Sequence, residues 1–325
     1  MSTFTTLDPA NDKKENSTQL VTTGLWSGGA GVLSMFSTSS DQTASFGKYF
    51  VNVYQTASTD PTAEVQFSVG YGSQGNSGSA VGDLNFPAKA VYSQYAGAIL
   101  AAGDSLFTVN GTDKYSCVFL NIQRNRFKEK VNRGTWQLTI NGASKPLHLI
   151  DNSSVSGSEM VGEGGKVYHI VSGSYNTTNG QSTIWNASSP DYYGLFYPDI
   201  GILVLDYVAL ISGSQAVPIA AALSKDINCA FVGCCSSFVA RSEENIKNSI
   251  YFIRVKNRDY NYSTNPTFFD TAGNILSQFI NEPITYITSV GLYNAADELI
   301  AVAKLSSPIQ KSQERELLLK CKLDF

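Results

Sequence analysis

Hydrophobic residues at every second position recur along this chain and predict β-strands. In the stretch EVQFSVGY, valine, phenylalanine and tyrosine alternate with polar residues and glycine, which is typical of a strand with one buried face. The same period of two marks residues 65–71, 118–122, 136–140 and 251–255. Asn-Gly pairs, which favour hairpin turns, begin at positions 110, 141 and 179. The pattern predicts a chain built mainly of strands.

One segment follows a helical pattern. Residues 88–102 (AKAVYSQYAGAILAA) are rich in alanine, with Pro87 at the first turn and Gly103 just past the end, and they predict a helix. The most apolar run, residues 200–211, is too short to span a bilayer and contains Asp206. This run therefore predicts a buried core element.

The C-terminal part carries the clearest strand signals. Residues 284–294 and 298–305 predict a hairpin that turns at 295–297. Residues 314–325 place leucine and cysteine side chains on one face and charged side chains on the other, which predicts a strand that runs to the last residue.

We therefore predict a mainly β fold, α+β with a minor helix, in which antiparallel, sandwich-like sheets form two to three subdomains. Four segments are expected. Residues 1–22 form an N-terminal arm, and residues 23–152 form a β-rich domain that contains the helix near 88–102. Residues 153–245 form a Ser/Gly-rich excursion plus an apolar core segment, and residues 246–325 form a C-terminal antiparallel β-domain. Within the excursion, residues 166–171 are the one short strand candidate.

Charged residues make up 15% of the chain and hydrophobic residues 42%. Since about 25% charged residues is usual for soluble proteins, uncharged polar residues are expected to cover much of the surface. Such surfaces are common in β-rich proteins and in subunits that bury themselves in an assembly. The net charge of −4 argues against a general nucleic-acid binder. The N-terminal residues lack the apolar stretch of a secretory signal.

The five cysteines show no metal-site spacing. They form no C-x-x-C motif, and neither histidine lies near them in sequence. We expect buried free thiols in a reducing compartment.

Two motifs overlap near residue 75. Gly70, Gly72 and Gly75 form G-x-G-x-x-G, but the sequence that follows is too rich in serine, glycine and proline to open the helix that a dinucleotide site needs. Ser77 lies in a setting close to that of a protease serine, yet His148 and His169 both follow it in the chain. We interpret the stretch as a glycine-rich loop and expect no catalytic residue, cofactor or metal.

An aromatic-rich stretch, DYYGLFYPD at 191–199, is interpreted as a loop. Its Tyr193 and Phe196 are candidates for stacking on a sugar or a partner protein. Ordinary packing of the same rings in the core is favoured over such a ligand site.

A basic stripe follows a predicted strand. Arg124, Arg126, Lys128 and Lys130 recur at every second position, so they share one face if the strand continues. Three interpretations are open: a phosphate-binding face, a solvated edge strand, and a charged docking surface for another subunit.

Several stretches together resemble a family of virion structural proteins of T4-like contractile-tailed phages, especially those of cyanobacteria. The similarity covers most of the chain after about residue 60. It is carried by IQRNRFKEKVNRGTWQL at 122–138, YGLFYPDIGILVLD at 193–206, FVARSEENIKNSIYFIRVKNRDYNYSTNPTF at 238–268, and ITYITSVGLYNAADELIAVAKLSSPIQKSQERELLLKCKLDF at 284–325.

This resemblance implies a non-enzymatic subunit of the tail or baseplate, located in the virion and assembled in the host cytoplasm. Its implied partners are other tail proteins, in several symmetric copies, with no nucleic acid and no membrane. The arm, with Asp12, Lys13 and Lys14, and the basic stripe are then expected to bind neighbouring subunits. A receptor-binding or glycan-binding tail protein is the alternative, and a cell-wall hydrolase is a third possibility.

Overall fold

The protein is mainly β, as the sequence predicted: strands make up 46% and helices 14%. The structure, a computed structural model, describes residues 5–8, 10–15, 18–39, 49–75, 88–212, 215–219 and 226–324.

The strands are short in the N-terminal half and longest near the C-terminus. In chain order they are β1 (Lys13–Glu15), β2 (Gln19–Gly24), β3 (Val32–Leu33), β4 (Val51–Tyr54), β5 (Val65–Ser73), β6 (Phe107–Val109), β7 (Thr112–Lys114), β8 (Ser116–Ile122), β9 (Lys130–Val131), β10 (Gln137–Ile140), β11 (Leu147–Asp151), β12 (Met160–Gly162), β13 (Gly165–Asn176), β14 (Gln181–Ile184), β15 (Tyr192–Tyr197), β16 (Ile202–Asp206), β17 (Cys235–Val239), β18 (Arg241–Ile246), β19 (Asn248–Val255), β20 (Ile284–Tyr293), β21 (Leu299–Ser312) and β22 (Leu317–Asp324).

Helices are few and short in the described residues. They are α1 (Ala88–Ile99), α2 (Tyr207–Ile211), α3 (Ile227–Cys234) and α4 (Ser277–Asn281), with 3₁₀ turns at Ser27–Gly29, Arg124–Arg126 and Pro266–Phe268. The predicted helix at 88–102 is thus present and ends three residues early. It places small and apolar side chains at helical spacing on its buried face, among them Val91, Tyr92 and Ala96.

The chain divides into two compact units. One comprises Leu20–Glu244, and the other comprises Met1–Gln19 together with Asn245–Phe325. We call them the large unit and the terminal unit. Strands from both predicted segments, 23–152 and 153–245, belong to one sheet of the large unit.

That sheet has the strand order β3-β17-β10-β11-β13-β15-β16-β8-β5-β4, and its successive strands pair antiparallel. It curls until its two ends meet. Phe67 of β5, near one end, packs against Phe238 of β17, near the other, with ring centroids 5.7 Å apart. Ser37, which follows β3, forms a bridge with Tyr54 of β4. The curl encloses the main hydrophobic core.

The outer face of the sheet is also covered. Helix α1 and the β6–β7 hairpin lie over it and form a second cluster that includes Tyr92, Phe107 and Phe119. Consequently the central strands are buried on both sides, and even Gln66 and Ser68 of β5 are buried. The expectation of one exposed face for this strand was wrong, because a period of two does not reveal whether the polar face is covered as well.

The Asn-Gly pairs lie between paired strands. At Asn110-Gly111 both residues have positive φ, 46° and 73°, as a tight two-residue turn between β6 and β7 requires. Asn141-Gly142 begins a longer connection from β10 to β11, and Asn179-Gly180 lies between β13 and β14.

The Ser/Gly-rich excursion contains more structure than the one predicted strand. Strands β12, β13 and β14 lie within it, and β13 is an internal strand of the large sheet. The strand predicted at 166–171 is confirmed within β13, where Val167, Ile170 and Val171 are buried. The interpretation of the region around it as a surface excursion or an inter-domain region was wrong, because β13 is longer than predicted and pairs on both sides within the large sheet.

The terminal unit contains two small sheets. One has the order β1-β19-β22, and the other is the hairpin β20–β21, which the sequence predicted. In β22, Leu317 and Cys321 are buried while Leu318 is exposed, which confirms the predicted alternation. Phe325 lies outside the described residues.

Gly72, the second glycine of the G-x-G-x-x-G motif, lies where α1 packs against β5. A Cβ atom at this position would lie 2.7 Å from the backbone nitrogen of Tyr92 and 2.8 Å from its Cα, so α1 rests directly on β5 here. Gly72 therefore serves the packing of the helix on the strand.

We expect Gly72→Ala to destabilise the large unit by about 1–3 kcal/mol, because the added methyl group must push α1 from the sheet. The control is Gly97→Ala, in an exposed part of α1 where an added Cβ meets nothing within 4 Å. This change should stabilise the protein by about 0.5–1 kcal/mol. Chemical denaturation measures both, and equal effects in the two variants would contradict the packing argument.

Candidate assembly surface

Tyr193 and Phe196 do not lie in a loop. They belong to β15 and are buried, with 8% and 0% of their surface exposed. Phe196 packs against Trp136 in the main core, with ring centroids 5.2 Å apart. The interpretation of this stretch as a loop was wrong, because the aromatic residues form an internal strand with large rings packed on both of its faces. The favoured interpretation, ordinary packing of the rings in the core, is confirmed.

The basic stripe is not one face of a strand. β8 ends at Ile122, and Arg124–Arg126 form a 3₁₀ turn, so the alternation of the four cations is lost. Three of the four side chains have partners in the large unit, the first being Arg124. It donates to the Phe127 carbonyl over 2.7 Å and also lies over the Phe127 ring. The sequence could not show this, since a period of two in charges does not mark where a strand ends.

Two cations of the stripe form ion pairs within the large unit. Arg126 lies 2.7 Å from a carboxylate oxygen of Glu64 and donates to the Ser27 hydroxyl over 2.6 Å. The Ser27 hydroxyl in turn donates to the Glu64 carboxylate over 2.6 Å. This hydrogen bond, and next the one from Arg126, lowers the pKa of Glu64. Lys130 lies 3.1 Å from Glu243. For Lys128 the structure gives a backbone contact, in which its N–H donates to the Ser242 hydroxyl.

The predicted arm residues Asp12, Lys13 and Lys14 lie along the edge of β19. Lys13 and Lys14 pair with Tyr251 and Ile250 in register, and the Asp12 carbonyl accepts from the Phe252 N–H over 2.7 Å. The arm therefore adds a strand to a sheet of its own chain. Its pairing covers the backbone edge of β19.

The chemistry-bearing side chains are dispersed. The five cysteines are free thiols, and burial raises the pKa of Cys117 and Cys235. Burial lowers the pKa of His148 and His169. Within the described residues no three His, Cys, Asp or Glu side chains are grouped as metal ligands. Ser77 lies outside the described residues.

Two open clefts occur in the large unit. One, of about 440 Å³, lies beside the end of α1 and is lined by residues that include Asp104, Asp113 and Tyr197. The other, of about 480 Å³, is lined by serines and by Arg133. That guanidinium contacts Glu159 and Tyr168, so its charge is already used within the chain.

The most unusual surface is on the β20–β21 hairpin. We call its exposed apolar residues the hairpin surface, and their exposed fractions run from 45% to 67%. They are Tyr286, Tyr293, Leu299, Ile300 and Val302. Exposed apolar residues occur singly on most proteins, but a contiguous group marks a binding surface.

The base of the hairpin is fixed by buried polar groups. The Lys311 ammonium donates to the Asn257 carbonyl, the Asn261 side-chain oxygen and the Ser312 carbonyl over 2.9, 2.8 and 2.6 Å. Burial lowers the pKa of Lys311. Thr285 pairs with Lys311 across the ladder, and its hydroxyl donates to the Tyr260 carbonyl over 2.7 Å. The root of the hairpin is thus held in place while the remainder extends from it.

The sequence indicates this surface by the near absence of charged residues from two neighbouring strands, a feature that the prediction from charged and aromatic residues did not use. Strand β20 contains no charged residue, and the first seven residues of β21 contain only Lys304. Strands without charge on either face occur where both faces are covered. Here several apolar side chains of both strands are exposed instead.

No protein family, curated protein or solved structure matches this chain. None of the helices in the described parts of the chain has the length and apolarity needed to span a lipid bilayer.

Lys311→Met should loosen the hairpin base, because it leaves buried acceptors without their donor. We expect a loss of about 1–3 kcal/mol of stability and faster proteolysis within residues 284–312. The matched control, Lys304→Met, changes an exposed lysine of the same strand and should cost less than about 0.5 kcal/mol. Indistinguishable proteolysis of the two variants would show that Lys311 does not anchor the hairpin.

Arg126→Glu should lower the melting temperature of the large unit modestly, because it places two carboxylates together. The swapped variant Glu64→Arg/Arg126→Glu should recover most of that loss, since the pair is restored with its charges exchanged. Thermal unfolding of the two single variants and the swap completes the cycle. If the swap melts no higher than Arg126→Glu, the pair does not explain the role of Arg126.

Proposed function

We propose that this protein is a non-enzymatic structural subunit of a bacteriophage contractile tail, most directly of the baseplate, and that it acts by binding neighbouring subunits. The resemblance to virion structural proteins of T4-like phages motivates the tail assignment. The hairpin surface supports the mode of action, because exposed apolar side chains on an otherwise water-facing ribbon are stabilised by a protein partner.

The isolation of the hairpin is the observation that carries the binding role. Two-stranded ribbons are at best marginally stable in water unless something packs against them. Strands β20 and β21 are long, and they form a sheet of two strands. A subunit that completes this packing on assembly accounts for both the length of the ribbon and its composition.

A low charge content agrees with this role. Charged residues are depleted at the cores of protein interfaces, and they make up 15% of this chain. The glycan-binding alternative was placed on residues near 191–198 or 70–80. Burial of Tyr193 and Phe196 in β15 removes the two rings of the first stretch from the surface, and residues 76–80 of the second lie outside the described residues.

Quantitative mass spectrometry of purified tails and baseplates tests the proposal. We expect the protein at a copy number fixed by the symmetry of the tail, and hairpin peptides that resist proteolysis in the particle but are cut in the free protein. Detection of the protein in the host cytoplasm alone, with none in particles, would overturn the tail assignment.

A further inference from the structure

The three Asn-Gly pairs carry a chemical reactivity in addition to their role in turns. Glycine has no side chain to hinder its backbone nitrogen, which lies close to the side chain of the preceding asparagine. That nitrogen, after giving its proton to a base in solution, attacks the side-chain carbonyl carbon of asparagine and closes a five-membered imide ring, and ammonia leaves. Water then opens the ring at one of its two carbonyl groups, which gives aspartate or isoaspartate. Whether a pair reacts depends on whether the fold leaves both reacting groups free.

At Asn179-Gly180 both reacting groups are held by hydrogen bonds. The Gly180 N–H donates to the Asn176 carbonyl over 2.8 Å. The side-chain oxygen of Asn179 accepts from the Gln181 N–H over 3.1 Å. Attack at this pair requires both hydrogen bonds to break, so the fold slows the reaction here.

At Asn141-Gly142 the backbone is fixed on both sides. The Asn141 N–H donates to the Cys234 carbonyl over 2.7 Å, and the Ala143 N–H donates to the Ala216 carbonyl over 2.8 Å. Gly142 is half-buried, and a Cβ atom on it would lie 2.4 Å from another backbone oxygen. The peptide group between the two residues therefore has little room to rotate into the geometry of attack.

Asn110-Gly111 is the pair whose reacting groups are free. These two exposed residues form the whole turn between β6 and β7, beyond the last ladder pair, Val109 with Thr112. A Cβ atom on Gly111 would meet nothing within 4 Å. Within the described residues, neither the Asn110 side-chain amide nor the Gly111 N–H has a hydrogen-bond partner.

Conversion at Asn110 changes a hairpin that covers the large sheet. In isoaspartate the main chain runs through the side-chain methylene group, so the turn gains one backbone atom, which a two-residue turn cannot accommodate unchanged. The ladder pair Val109–Thr112 lies directly beside it. Val109 and Phe107 belong to the buried cluster on the outer face of the sheet. Loss of the turn geometry therefore loosens part of that cover.

We propose that Asn110 is a site of spontaneous modification, at which attack by the Gly111 nitrogen yields aspartate and isoaspartate and loosens the β6–β7 hairpin. The fold protects Asn141 and Asn179 from the same reaction. Each conversion consumes one water molecule and releases one ammonia molecule, and it needs no other reactant. The inference is independent of the proposed function.

Peptide mapping by mass spectrometry tests the site on the purified full-length protein incubated at mildly alkaline pH. In the folded protein we expect conversion at Asn110 to be at least about tenfold faster than at Asn141 or Asn179, since hydrogen bonds that must break add to the barrier. In denaturant the three pairs should convert at similar rates. Equal rates at the three pairs in the folded protein would overturn the proposal. So would an Asn110 that converts in denaturant but stays unchanged in the folded protein.

Asn110→Gly tests the effect on the hairpin, because Gly-Gly also favours a tight two-residue turn but lacks the reacting amide. After incubation, limited proteolysis should cut the wild-type protein within residues 107–114 faster than before, whereas Asn110→Gly should be cut at an unchanged rate. The matched control, Asn179→Gly, keeps the reactive pair and should change with time as the wild type does. If Asn110→Gly becomes sensitive as quickly as the wild type, the proposed loosening at Asn110 is wrong.

Discussion

Covering apolar sheet surface is the requirement on which this structure depends. A strand with hydrophobic side chains on a face must place that face against something other than water. The large unit meets the requirement within the chain: its sheet curls until Phe67 meets Phe238, and α1 covers the outside. The β20–β21 hairpin has no comparable cover in the described residues, and this difference separates a self-contained scaffold from a surface suited to assembly.

The spacing of residues along the chain predicted where helices, strands and turns occur better than it predicted which of their side chains are buried. The helix, the C-terminal hairpin and the Asn110-Gly111 turn follow from residue spacing, because each depends on neighbours in sequence. Burial of Gln66 on β5 and of Phe196 on β15 depends on layers contributed from distant parts of the chain. A period of two is compatible with one covered face or two. For the same reason, the two charge-poor strands of the hairpin could be identified as strands but not as an exposed surface.

Several charged side chains form ion pairs within the chain. Lys114 lies 2.7 Å from the buried carboxylate of Asp206, and Arg126 contacts Glu64 at the same distance. Such pairs satisfy groups that the fold has partly removed from water. The basic stripe therefore loses its value as a docking signal once its partners are known. The exposed apolar side chains of the hairpin are a different kind of surface, on which a partner would be bound by shape and apolar contact.

The anchored base of the hairpin affects how it binds. A ribbon without support loses much conformational freedom on binding, and that loss weakens association. Lys311 and Thr285 hold the base of both strands through buried hydrogen bonds. The part of the hairpin beyond its base is then oriented before a partner protein binds. Because an isolated two-stranded ribbon is only marginally stable in water, packing against a partner would stabilise it. Order at the base and apolar exposure beyond it are thus two parts of one arrangement, and each would be of little use for assembly without the other.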